Sequence, residues 1–202
     1  MASRKVICTD TTDWIKSQEK IPSIITSLPD MEETGMDFLT WKRWFVEMVT
    51  EITQRVSPDG YAIFYQTDRK INGGIIDKSF LCNKGAEVAG VRSIWHKICL
   101  KREVGKIDLY RPTFTHLMCY SKTGTSGTAT PDVMNAGKMI YKNAMGLTAC
   151  KFACEFVKPR IVFDPFCGQG SILAVANKLG LDAVGVDILE DQCEKSRKLQ
   201  II

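Results

Sequence analysis

Val162-Phe-Asp-Pro-Phe-Cys-Gly-Gln-Gly-Ser171, followed by an apolar helical stretch and then Ala183-Val-Gly-Val-Asp-Ile188, decides the fold. A short apolar strand runs into a turn of small residues, and a helix starts at Ser171. A second apolar strand ends in the acid Asp187. This is the plan of a nucleotide-binding crevice at the carboxyl ends of parallel strands. Gly168 and Gly170 allow a tight turn and the close approach of a ligand. The turn amides and the helix N-terminus favour an anionic group. Asp187 stands where a carboxylate can accept both hydroxyls of a ribose.

The remaining acid narrows the ligand. Asp164 closes the first strand, ahead of the glycines. A nicotinamide fingerprint has three glycines and no acid there. An acid at that point repels a pyrophosphate and suits a ligand that carries an ammonium and a sulfonium. S-adenosylmethionine is therefore expected in preference to a nicotinamide dinucleotide. A glycine pair alone also occurs for purely backbone reasons; the joint pattern with both acids carries the reading.

Outward from this unit, strand and helix patterns alternate. Lys5–Cys8 and Pro22–Thr26 read as strands, with a short helix through Trp14-Ile15 between them, after the Thr9-Asp10-Thr11-Thr12 helix-start cluster. Phe38 to Val56 is an amphipathic helix, with Phe38, Trp41, Phe45, Met48, Val49, Ile52 and Val56 at three- and four-residue steps. Ser57–Gly60 reads as a turn and Tyr61–Tyr65 as a strand. Ile75–Gly85 and Lys138–Phe156 read as helices. Val91–Leu100 and Thr115–Tyr120 read as adjacent strands. Arg160–Phe163 and Ala183–Val186 are the strands of the crevice, Ser171–Leu179 its helix, and a charged helix closes the pattern. The expected fold is α/β, a Rossmann-like, doubly wound, mostly parallel seven-stranded sheet with one antiparallel strand. The 202 residues are expected to form one domain: residues 1–122, a small-residue mobile loop at 123–134, and the crevice half at 135–202.

The composition, 45% hydrophobic and 25% charged, is that of a folded globular chain and argues against wholesale disorder. Lys and Arg number 27 against 23 Asp and Glu, a net charge of +4 that permits a nucleic-acid partner without demanding one. No secretory or membrane-spanning segment is apparent, so an intracellular protein, in cytoplasm or nucleus, with eight reduced cysteines is expected. There is no C-x-x-C pair. Cys150 and Cys154 read as core residues, and no metal is expected.

Asp164-Pro-Phe-Cys-Gly-Gln-Gly-Ser171 resembles the first motif of class I S-adenosylmethionine-dependent methyltransferases, in the form common among DNA amino-methyltransferases and several RNA methyltransferases. In most of that superfamily this motif precedes the catalytic motif. Here it follows, as in the circularly permuted, beta-type DNA enzymes. Cys8-Thr-Asp10 resembles the segment whose acid recognises the adenine. The resemblance implies cofactor contacts at Asp10, Thr11, Asp164, Pro165, Phe166, Cys167, Gly168, Gly170, Ser171, Asp187 and Ile188.

Ile24-Ile-Thr-Ser-Leu-Pro-Asp30 resembles the strand and catalytic loop written [DNS]-P-P-[YFW], which places the catalytic site at Ser27, Leu28, Pro29 and Asp30. In that family the first side chain and a backbone carbonyl accept hydrogen bonds from a target amino group, and the final aromatic stacks on the base. Ser27 and Pro29 match; Leu28 replaces the first proline and Asp30 the aromatic. Asp30 reads equally as a general base and as a helix N-cap before Met31-Glu-Glu. Ser27 is a turn residue in the alternative reading, and Asp68 is read first as a solvated turn residue and second as an active-site acid. Arg69, Lys70, Lys101, Arg102 and Lys106 are scattered candidates for phosphate contact. The leading expectation is methylation of RNA, with a protein partner available for substrate recognition. The alternatives are a small-molecule or protein methyltransferase and a non-catalytic scaffold for an active subunit.

Overall fold

The computed structural model describes residues 2–157 and 161–201. Eight strands form the main sheet. In chain order they are β1 (Arg4–Cys8), β2 (Ile21–Thr26), β3 (Val56–Gln66), β6 (Arg92–Leu100), β7 (Phe114–Ser121), β8 (Val133–Asn135), β9 (Ile161–Asp164) and β10 (Asp182–Asp187). Their spatial order is β1-β10-β9-β2-β3-β7-β6-β8. All neighbours are parallel except β7, which runs against both β3 and β6. β4 (Arg69–Ile71) and β5 (Gly74–Ile76) make a separate hairpin.

Helices cover both faces, as a mostly parallel sheet requires. On one side lie α1 (Thr11–Ser17), α3 (Phe38–Arg55) and α4 (Lys78–Val88), around a core of Trp41, Phe45, Ile52, Phe64 and Leu81. On the other lie α5 (Leu147–Val157), α6 (Ser171–Lys178) and α7 (Glu190–Lys198), over Ile63, Leu117, Ala153, Ile172 and Leu173. Cys150 and Cys154 belong to that second core, and all eight cysteines are free thiols. A four-residue helix, α2 (Met31–Thr34), follows the loop after β2. No described helix is long and apolar enough to cross a membrane.

The order of the sheet explains the late position of the glycine turn. β9, the crevice strand, sits inside the sheet beside β2, with Phe163 opposite Ile24. β1 reaches the sheet only through β10, with Cys8 opposite Asp187. One guanidinium fixes that edge: Arg4 donates to Asn177 Oδ1 at 2.7 Å and to the carbonyls of Ser196 and Leu199 at 2.7 and 2.6 Å.

Five sequence expectations need correction. The sheet has eight strands, because residues 133–135, at the edge of the expected mobile loop, pair with β6. The helix expected from Lys138 begins at Leu147, because the preceding stretch folds back on itself: Leu147 N–H bonds the Lys138 carbonyl at 3.0 Å and Ala149 N–H the Ala136 carbonyl at 3.1 Å. Asn143, at φ 65°, also breaks any helix there. The helix expected from Ile75 begins at Lys78, because Asn72-Gly73, both at positive φ, closes the β4–β5 hairpin. Ser57–Gly60 is extended backbone within β3, taken up by a register shift against β2. Asp68 is buried rather than solvated. The expected start of a strand at Arg160 lies outside the described residues.

Candidate active site and cofactor crevice

The crevice forms where β9 and β10 end. Asp164 is 4% exposed, and its Oδ1 accepts from Thr26 Oγ1 at 2.7 Å and from Phe166 N–H at 3.2 Å. Burial pushes its carboxyl up to about 7, against the opposing pull of Thr26. Such a group is a ready partner for a cation. Asp187 holds the floor of the turn: Oδ2 accepts Gly168 N–H at 3.0 Å and Oδ1 accepts Leu189 N–H at 2.9 Å.

The two glycines serve different purposes. A Cβ on Gly168 would meet nothing nearer than the Tyr141 hydroxyl at 4.0 Å, so the turn faces open space. A Cβ on Gly170 would overlap the Ser196 hydroxyl and lie 3.1 Å from Ser196 Cα, so this glycine admits α7 rather than a ligand. Ser171 is likewise engaged, donating to the Tyr141 hydroxyl at 2.8 Å. Cys167 is buried, and its N–H bonds the Val186 carbonyl at 2.9 Å. The Thr11 hydroxyl donates to the Pro165 carbonyl, which joins β1's exit to the turn. Asp10 caps α1 through the N–H groups of Thr12 and Asp13 at 2.7 and 3.2 Å. Phe166 is half-buried and packs edge-on against Trp44, with centroids 5.9 Å apart; Ile188 is exposed on the far rim. An S-adenosyl ligand fits this chemistry: a buried acid for its cationic end, an open glycine turn, and a second acid at a strand tip.

The loop after β2 opens beside this crevice, and the Thr26–Asp164 hydrogen bond ties the two together. Ser27 is half-buried, and its hydroxyl makes no hydrogen bond to another described residue. Leu28 is 2% exposed and packs into the α3-side core. The Pro29 carbonyl accepts from Trp41 Nε1 at 3.2 Å, which makes Trp41 a core residue that also pins the loop. Asp30 caps α2 by giving its N–H to Glu33 Oε2 at 2.7 Å. Its side chain does something else. It pairs with Lys78, with Arg111 at 3.2 Å and with Arg69 at 3.5 Å. A carboxylate paired with three cations is a strong structural hub.

Sequence reasoning missed this hub, because its cations come from β4, α4 and the β6–β7 connection. It also missed the neighbouring chain in which Asp68 Oδ2 meets His116 Nε2 at 3.0 Å and His116 Nδ1 meets His96 Nε2 at 2.8 Å. Asp68 Oδ1 accepts the Lys78 N–H at 2.9 Å, so Lys78 joins the two networks. Four of the five cations that look scattered in sequence, Arg69, Lys70, Lys101 and Arg102, gather here. Lys70 donates to the Asp108 carbonyl at 2.7 Å, and Arg102 pairs with Asp108 at 3.4 Å. Burial, then the neighbouring Arg111, pushes the Lys101 ammonium down to about 8. The exposed Tyr110 stands on the same connection.

Residues 157–198, the segment that carries the crevice, match the family model described as DNA methylase, N6_N4_Mtase. The fold matches solved structures over nearly the whole chain. The cytosine-N4-specific PvuII DNA methyltransferase is 14% identical, with a TM-score of 0.79, covering 98% of this chain and 87% of that one. This is a class I methyltransferase fold in permuted order. TTHA0409 from Thermus thermophilus, described as a putative DNA modification methylase, has the same fold in its complex with S-adenosyl-L-methionine: 15% identity, TM-score 0.76, covering 96% of this chain and 91% of that one. The M1.HpyAVI–SAM complex follows at 15% identity and a TM-score of 0.67, covering 96% and 98%. No curated protein matches by sequence. The methyltransferase fold, the family match on the crevice segment and the two acids support an S-adenosylmethionine-dependent methyltransferase.

Proposed function

We propose that this chain transfers a methyl group from S-adenosylmethionine to an amino nitrogen of a nucleic-acid base, with DNA as the nucleic acid. One observation carries the reading: Thr26 bonds the crevice acid Asp164, and the unengaged hydroxyl of Ser27 follows it directly. In this reading the Ser27 hydroxyl is the acceptor for the target amine, next in the chain to the residue that bonds the crevice acid. The PvuII enzyme and TTHA0409 are described as a DNA methyltransferase and a putative DNA modification methylase, and neither description favours the RNA expected from sequence. The exposed Lys70, Arg102 and Lys106 suit a phosphate backbone.

A sulfonium is already an activated methyl donor, so the protein's work is alignment and exclusion of water. Asp164 and Asp187 would hold the cofactor's cationic end and its ribose. Ser27 Oγ would accept a hydrogen bond from the target amine and aim its lone pair along the transfer line. Asp30 would fix the loop through Lys78, Arg69 and Arg111 rather than move a proton.

The test is transfer of labelled methyl groups from S-adenosylmethionine into DNA, RNA and protein fractions, with wild type and Ser27→Ala compared. Label entering DNA with wild type and failing to enter with Ser27→Ala supports the proposal. Label in protein alone refutes it. The locked Asp30 also favours a second reading, a non-catalytic scaffold for an active subunit. That reading requires cofactor binding without transfer into any fraction.

A further inference from the structure

Beside the crevice, behind the tips of β1 and β10, stands one group of side chains to which no role is assigned above. Cys8 ends β1, and Glu190 and Cys193 stand in the first turn of α7, one helical step apart on one face. Their sulfur and carboxylate atoms all lie within 4.8 Å of one another. The Cys8 sulfur lies 3.6 Å from the Ile188 carbonyl, which fixes it at the tip of β10. Cys193 is fully buried, with its sulfur 3.5 Å from the Asp187 carbonyl and 3.8 Å from the Ile7 carbonyl, so its position is set by the two strand tips. Cys8 and Glu190 are exposed, which leaves the cluster open to solvent.

We infer that Cys8, Cys193 and Glu190 form a binding site for a thiophilic divalent cation, with zinc the fitting one. Two thiolates and a carboxylate are a zinc donor set, and soft sulfur selects against magnesium and calcium. Zinc–sulfur bonds of about 2.3 Å at tetrahedral angles put two sulfurs about 3.8 Å apart, within the reach of this cluster. The fourth position falls to water on the open side. Binding releases one proton from each thiol as its sulfur becomes a ligand. Arg197, which pairs with Glu190, leaves the second carboxylate oxygen for the ion. The ligands come from the first strand and the last helix, so the ion staples segments far apart in sequence and removes freedom from the unfolded chain.

The experiment is titration of the reduced protein with zinc against a chromophoric chelator, with cobalt as a spectroscopic probe. One zinc per chain at submicromolar affinity is expected. Cobalt should give a thiolate-to-metal charge-transfer band and the intense visible spectrum of a four-coordinate site. Cys8→Ser should weaken zinc by about 100-fold or more and Glu190→Gln by about 10-fold; both residues are exposed, so the fold survives. Cys193→Ser should behave like Cys8→Ser, with circular dichroism confirming that it folds. Zinc should raise the melting temperature of wild type and not of Cys8→Ser. Binding that Cys8→Ser leaves unchanged, or cobalt bound without the charge-transfer band, overturns the assignment. None of these readouts depends on methyl transfer.

Discussion

Replacing Asp164 with asparagine should stabilise the cofactor-free chain at neutral pH while weakening its affinity for cofactor. The carboxyl is buried, and desolvation raises it from the usual 3.8 to about 7. The folded chain therefore holds this proton more tightly than the unfolded chain. Below about pH 4 both states are protonated and the group costs nothing. From about pH 4 to about pH 7 the unfolded state ionises while the folded state does not, and stability falls by about 1.4 kcal/mol per pH unit. Above about pH 7 both states are ionised and the loss stays near about 4 kcal/mol. Asparagine keeps the Oδ1 that accepts from Thr26 Oγ1 at 2.7 Å and Phe166 N–H at 3.2 Å, and it cannot ionise. Urea unfolding curves of wild type and Asp164→Asn should converge toward about pH 4. They should separate in favour of the variant by up to about 4 kcal/mol at about pH 8. Calorimetry should show weakened S-adenosylmethionine binding by the variant. A variant no more stable than wild type at about pH 8 refutes the reasoning.

Three further outcomes follow from the same geometry. Asp187→Ala removes the acceptor of the Gly168 and Leu189 N–H groups, at about 1.5–3 kcal/mol for bonds to a charged partner, so calorimetry should show cofactor binding weakened about 10- to 100-fold. Gly170→Ala forces a side chain to adopt φ 87° against Ser196, and thermal unfolding should show a loss of about 2–4 kcal/mol, whereas alanine at the open Gly168 should cost only the backbone term of about 1–2 kcal/mol. Asp30→Ala strands Lys78, itself 2% exposed, and should destabilise the fold by about 3–5 kcal/mol in urea melts, while Ser27→Ala should leave the melt within about 0.5 kcal/mol of wild type.

The strand-turn-helix-strand unit from Ile161 to Asp187 was legible because its information is local. Asp164, the two glycines and Asp187 lie on consecutive elements, and turn, helix and strand signals there agree with the tertiary fold. The long helix α3 was legible for the same reason, with a sustained apolar stripe and Asp37 to cap it. What failed depended on contacts between distant segments. Asp30 reads as a cap or a base until Arg69, Lys78 and Arg111 arrive from three other parts of the chain. Gly170 reads as a ligand glycine until Ser196 of the last helix fills the space above it. The late start of α5 was hidden because the 138–146 stretch has helical composition, yet Leu147 and Ala149 bond back across it to the carbonyls of Lys138 and Ala136. The Asn72-Gly73 hairpin was different: its signal was local and strong, and the apolar pair Ile75-Ile76 was read as helix in its place.

The attachment of β1 to β10 alone has a consequence for biosynthesis. Arg4–Cys8 leaves the ribosome before every other strand of the sheet, yet its hydrogen-bonding partners, Ala183–Asp187, leave after all of them. Until then the apolar tract Val6-Ile7-Cys8 has no sheet edge to join, and the wall bearing Asp10 and Thr11 is missing. The nascent chain thus passes through a stage in which the β2–β3–β7–β6 sheet can assemble while the cofactor's outer wall cannot. A pocket walled on both sides therefore exists only once β10 has been made.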